Sequence, residues 1–123
     1  ESAMLELLKE FSGKIVGVRA SGLVTKKDYE DVLIPAVEAA VQQHGKVRMY
    51  YEFGPDFTGM DAGAMWEDFA IGMKEIAHWE RCAVITDAAW IVHGVNAFRF
   101  LMPCPVKVFP LAGAAAAHEW IAA

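Results

Sequence analysis

Few side chains in this sequence could do covalent or acid–base chemistry, and their spacing is not that of a known catalytic motif. The three serines are Ser2, Ser12 and Ser21, and none falls at a strand-to-helix turn, where a nucleophilic serine would stand. There is no G-x-S-x-G, no Walker A loop and no G-x-G-x-x-G. His44, His78, His93 and His118 fall one per helix or helix end without an i, i+4 pair, and Cys82 and Cys104 lack C-x-x-C spacing. No metal site and no cofactor are therefore expected. Both cysteines read as buried thiols kept reduced in a cytoplasm.

Four carboxylates gather around one stretch: Asp56, Asp61, Glu67 and Asp68. Paired carboxylates can act as acid and base if their surroundings separate their pKa values. Acidic residues also favour helix N-termini through the macrodipole, which explains the cluster without chemistry. A base role for Asp61 or Asp68 would need a raised pKa in a cleft. Aromatic residues surround the same stretch: Tyr50, Tyr51, Phe53, Phe57, Trp66 and Trp90. Most of these occupy strand or helix-stripe positions and are expected in the core. Phe57 lies between Asp56 and Thr58 with no periodic reason to be buried, and is the prime candidate to meet a ligand. Phe57, Thr58, Asp61, Trp66 and Trp90 are the expected ligand- or partner-binding residues.

The elements that must position them follow a strand-then-helix grammar. Residues 47–53 are nearly unbroken in apolarity and read as a parallel strand covered on both faces. Gly54-Pro55 is expected to end it, giving a loop over 54–60. Asp61 is a good N-cap for a helix reaching Trp79. Its stripe of Ala62, Met65, Trp66, Phe69, Ala70, Met73, Ile76 and Ala77 is expected to face the core, leaving Ile71 alone on the polar face as a candidate subunit contact. Upstream, residues 4–10 and 14–20 read as a hairpin turning at Ser12-Gly13, with Gly22 closing the second strand. Thr25 and Asp28 make a capping box for a helix to about Gln43, kinked or split at Pro35 and closed by Gly45. Downstream come a strand over 81–86, a helix capped by Asp87 and reaching Leu101, an edge strand over 105–109, and a last helix over 113–122. Val92 and Phe100 fall on the polar side of the Asp87 helix, which hints at a partner. The order β-β-α-β-α-β-α-β-α implies one α/β domain with a mostly parallel core sheet and an N-terminal antiparallel hairpin.

Composition agrees with a single ordered domain over residues 1–123: the chain is 55% hydrophobic and 22% charged. A net charge of −5, with eleven scattered Lys and Arg, argues against a nucleic-acid surface. Asp87, His93, Asn96 and Arg99 interrupt the most apolar window, so no membrane span is expected. No signal peptide is visible, and Glu1–Ala3 are expected to be a remnant outside the native fold.

The sequence resembles the SpoIIAA-like family of small bacterial proteins, whose fold is similar to STAS domains. The resemblance rests on the hairpin start, KKDYEDVLIPAVEAA, F-x-G-M-D (Phe57 to Asp61) with W-E-D after it, RCAVITDAAW, the PVKVF strand and the HEW helix. It implies a non-catalytic interaction or regulatory module. In anti-sigma antagonists a D-S-S-G turn carries a phosphorylated serine. Here the matching stretch is Asp61-Ala62-Gly63-Ala64, so the phospho-serine switch is not expected. The resemblance also implies an alternative, a carrier or sensor of a small apolar or lipid-like ligand. The expected partner is a protein or a second copy in a homodimer.

Overall fold

The structure, a computed structural model, describes residues 4–123; Glu1–Ala3 lie outside the described residues. Five strands form one sheet in the order β1-β2-β3-β4-β5. They are β1 (Leu5–Leu7), β2 (Ile15–Val24), β3 (Val47–Met60), β4 (Trp79–Ile85) and β5 (Val106–Phe109). The β1/β2 pair is antiparallel and every later pair is parallel. The fold class read from the pattern is the one observed.

Alternation along β3 divides the core. Val47, Met49, Tyr51 and Phe53 point to the face covered by α1 (Lys26–Asp28), α2 (Ile34–His44), α3 (Ala62–Lys74) and α4 (Ala89–Phe98). Tyr50, with Ala83 and Ile85 of β4, points to the other face, which α5 (Ala114–Ala122) covers through Ala117 and Ile121. This is the period of two expected of a strand buried on both sides.

Local signals explain several boundaries. The Thr25 hydroxyl accepts from Asp28 N–H, while the Asp28 carboxylate accepts from Thr25 N–H at 2.8 Å, closing the capping box. Between α1 and α2 the chain makes a π-helical turn, Tyr29–Leu33. Pro35 lacks an N–H, and the wider turn before it places the proline in the first turn of α2, where that donor is not needed. Gly45 ends α2 at φ 72°, a left-handed conformation that suits glycine, and its N–H donates to Val41 at 2.8 Å.

Four expectations fail. Residues 54–60 are not a loop: β3 continues beside the end of β2, pairing Gly22 with Phe57, Leu23 with Gly59 and Val24 with Met60. A bulge absorbs Gly54–Asp56, so Pro55 meets no ladder position that needs its missing N–H. β2 likewise runs through Gly22 to Val24 rather than stopping, with Gly22 at φ 58° at the irregular register. The helix after Asp61 stops at Lys74, and Trp79 opens β4. Asp87 does not cap α4. Its carboxylate accepts from Leu111 N–H at 3.0 Å, and the Thr86 hydroxyl accepts from Ala88 N–H at 3.0 Å.

At the opposite end of the sheet, Glu80 accepts from Lys14 at 2.7 Å and from Arg48 at 2.6 Å. Arg48 also donates to the Ile121 carbonyl at 2.8 Å, tying β3 to the end of α5. Lys14 first, and then Arg48, hold the Glu80 carboxyl down to about 2. A depressed folded pKa gives stability that is present above the unfolded value and is lost as pH falls through the folded one. E80Q is therefore expected to lose about 1 kcal/mol or less at neutral pH, because the group is partly screened by solvent. Its stability should also fall less steeply than the parent's between pH 4.5 and about 2, as measured by urea unfolding at stepped pH.

Candidate functional site

Helix α3 is turned the opposite way from its amphipathic pattern. Ala64 and Ile71 are buried, whereas Met65, Trp66, Phe69 and Met73 are exposed, Trp66 to 64% and Phe69 to 48%. Ile71, expected on the polar side, is only 5% exposed. The reason is close packing of the α3 N-terminus on α1: a Cβ at Gly63 would sit 2.8 Å from the Lys26 Cβ. The side of α3 that carries Gly63, Ala64 and Ile71 therefore turns inward, and the larger apolar side is left over.

That side faces α4 across a groove of about 400 Å³, within the size range of small-molecule sites. Tyr51 and Phe53 of β3, Cys82 and Val84 of β4 and Val106 of β5 lie along its base. Met65, Phe69, Gly72 and Met73 of α3 form one wall; Trp90, Ile91, Gly94 and Phe98 of α4 form the other. A Cβ on Gly72 or Gly94 would meet nothing within 4 Å, so the two helices leave open space between them.

Polarity in the groove is concentrated at one cluster. The Tyr29 hydroxyl donates to the Asp68 carboxylate at 2.8 Å and lies 2.8 Å from the Tyr51 hydroxyl. Burial, and then the Asp68 charge, push both tyrosines well above the ordinary phenol range. Burial also raises the Asp68 carboxyl, partly offset by the Tyr29 hydrogen bond. The Asp68 side chain is itself exposed at the groove, so water moderates that rise. Arg99, the only basic side chain lining the groove, sits just past α4. An apolar groove with a hydrogen-bonding cluster at its base and a cation at its edge can hold an amphipathic molecule and orient its polar end.

The five residues singled out from sequence are dispersed. Phe57 and Trp90 come together, stacked at 6.0 Å, with Phe53 edge-on to Phe57 at 4.9 Å. Trp90 lines the groove. Phe57 is half-buried and lines a smaller cavity of about 330 Å³ between the β3 bulge and the carboxyl end of β4, with Pro55, Thr86 and Leu111. Thr58 is exposed on the β3 extension. Asp61 caps α3, its carboxylate accepting from Ala64 N–H at 2.7 Å, and so forms no pair with Asp68. Trp66 stands outside the groove, 6.1 Å from Phe69. Sequence reasoning missed Tyr29 and Asp68 as partners, and it missed Phe69 and Phe98 as groove walls. A usable signal was present in Gly72 and Gly94, two glycines inside helices that neither needs for a positive φ.

A one-domain mixed sheet with an N-terminal hairpin, parallel crossovers and an apolar groove defines a small α/β domain of SpoIIAA type. The chain belongs to the SpoIIAA-like family, whose model matches residues 15–122. Its fold is similar to that of an uncharacterised protein with a SpoIIAA-like fold from Shewanella loihica PV-4, at a TM-score of 0.74 and 20% identity over 98% of this chain and 96% of that one. No curated protein matches the chain. The family points to a regulatory or binding module. Among the described residues no helix is long and apolar enough to cross a membrane.

Proposed function

We propose that this protein is a non-catalytic cytoplasmic binding module that takes a small amphipathic ligand into the groove between α3 and α4. The observation carrying this reading is the outward turn of Met65, Phe69 and Met73 opposite Trp90 and Phe98, around open space. Leaving such residues in water forgoes roughly 1.5–3 kcal/mol per side chain that burial would return. An apolar chain seated there would recover part of it. The exposed Asp68 carboxylate, held by the Tyr29 hydroxyl, would accept from a hydroxyl or similar donating head group. The phospho-serine switch has no place in this reading, because no hydroxyl follows Asp61 and Gly63 packs too tightly on Lys26 for a side chain.

Native mass spectrometry of freshly purified protein tests the reading. The expected spectrum shows an adduct that organic extraction removes, or uptake of one dodecanol when that alcohol is supplied. A bare chain that takes up no dodecanol contradicts it.

A protein partner or second copy is favoured by one separate observation: Trp66, and Phe100 at 77% exposed, lie outside the groove. A concentration-dependent dimer in sedimentation velocity supports the second copy. A strict monomer at high concentration contradicts it.

A further inference from the structure

We propose that the groove selects a cationic amphiphile, an alkyl chain ending in a protonated amine, and that Asp68 recognises the ammonium. The inference rests on the groove reading above and adds the charge of the ligand's polar end. Asp68 stands midway along α3 and lines the groove together with Met65, Phe69 and Gly72, so a carboxylate interrupts an otherwise apolar wall. One of its oxygens accepts from the Tyr29 hydroxyl at 2.8 Å. The other has no hydrogen-bond partner among the described residues, and Asp68 is exposed.

The direction of the hydrogen bonds decides what this cluster can offer. Tyr29 uses its one hydroxyl hydrogen on Asp68, so in the 2.8 Å contact between the two phenols Tyr51 donates and Tyr29 accepts. Both phenol hydrogens are then engaged, and an ionised carboxylate only accepts. The head group must therefore donate. A hydroxyl brings one hydrogen, whereas an ammonium brings three and a positive charge, and a charge-assisted hydrogen bond is roughly twice as strong as a neutral one.

Charge points the same way. Among the described residues Asp68 makes no ion pair. An alkyl chain seated along Met65, Phe69 and Phe98 would displace water from the carboxylate, and an ionised carboxylate desolvated without a counter-charge is costly. An ammonium supplies that counter-charge; an alcohol does not, and a carboxylate head group adds repulsion. Arg99, the other charged residue lining the groove, is exposed just past α4, so an anionic head group would be drawn to the edge and away from the cluster. Tyr51, Phe69 and Trp90 add an aromatic lining of the kind that attracts organic cations.

The test is isothermal titration calorimetry of the full chain at neutral pH with dodecylamine and with dodecanol. Dodecylammonium is expected to bind at least about tenfold more tightly than the alcohol. D68N should remove that preference, and its side-chain carbonyl can still accept from Tyr29, so the contact between α3 and the π-helical turn is kept. E67Q removes the same charge one residue away, outside the groove lining, and should keep the preference. A preference lost equally in E67Q would belong to the net charge of −5 and would overturn the proposal. A preference that survives in D68N, or dodecanol binding with dodecylammonium no tighter, would overturn it and leave the groove reading standing. Binding of neither compound would overturn both.

Discussion

Replacing Gly94 with leucine is expected to weaken apolar-ligand binding at least tenfold while leaving the fold at least as stable as the parent. These effects run in opposite directions, which separates a binding groove from a packing defect. Gly94 lies inside α4 without a positive φ, and a Cβ there meets nothing within 4 Å. A glycine in a helix interior costs roughly 0.5–1 kcal/mol relative to alanine, so the substitution should return about that much stability. The leucine side chain has only the groove to enter, and it would occupy the space a ligand needs. Affinity for the fluorescent fatty acid dansylundecanoate should fall at least tenfold, about 1.4 kcal/mol. G72L should act in the same way from the opposite wall, since Gly72 faces the same open space and its carbonyl can still accept from the Trp79 indole. Fluorescence titration and urea unfolding read the two quantities independently. Lower stability with unchanged binding would show that the space serves packing.

The second large effect is expected at Tyr29. Its ring is fully buried, and its hydroxyl joins the π-helical turn to Tyr51 of β3 and Asp68 of α3. Y29A removes the ring and leaves a cavity, an exchange that costs about 3–5 kcal/mol for an aromatic residue. Against a total stability on the order of 5–15 kcal/mol, that is a large share. Y29F keeps the ring and removes only the hydroxyl, so about 1–2 kcal/mol should be lost, mostly because the buried Tyr51 hydroxyl loses its neighbour. The pH dependence separates the two contributions. Asp68 has a folded pKa above its ordinary value, so its contribution is fully present below the unfolded pKa and is lost as pH rises through the folded one. The Tyr29 hydrogen bond opposes that rise. Y29F should therefore push the folded value higher and extend the loss to higher pH, as carboxyl chemical shifts of Asp68 would report.

Much of the fold was legible because its signals are local. Thr25 and Asp28 cap each other three residues apart, Gly45 closes α2, and the unbroken apolarity of 47–53 reflects a strand covered on both faces. The β3 extension was hidden, because Gly54-Pro55 is a strong stop signal and only its pairing with the tail of β2, far upstream in sequence, reveals the bulge that accommodates it. The orientation of α3 was hidden for a different reason. An apolar stripe normally indicates the buried face, but here the small residues Gly63 and Ala64 decide which side packs on α1. Asp68 was visible as an acid, yet its contact with Tyr29 exists only once α3 lies beside the π-helical turn. A stripe left outside the core is what a binding surface looks like, and one-dimensional periodicity cannot distinguish it from a core-facing one.

The most direct test of the groove is an amide chemical-shift titration of the full chain with dodecanol. Saturable shifts are predicted in residues 65–73 of α3 and 90–98 of α4, together with Tyr51 and Val84 at the base. The absence of any saturable shift, or shifts confined to Pro55, Phe57, Thr86 and Leu111 around the smaller cavity, would contradict it.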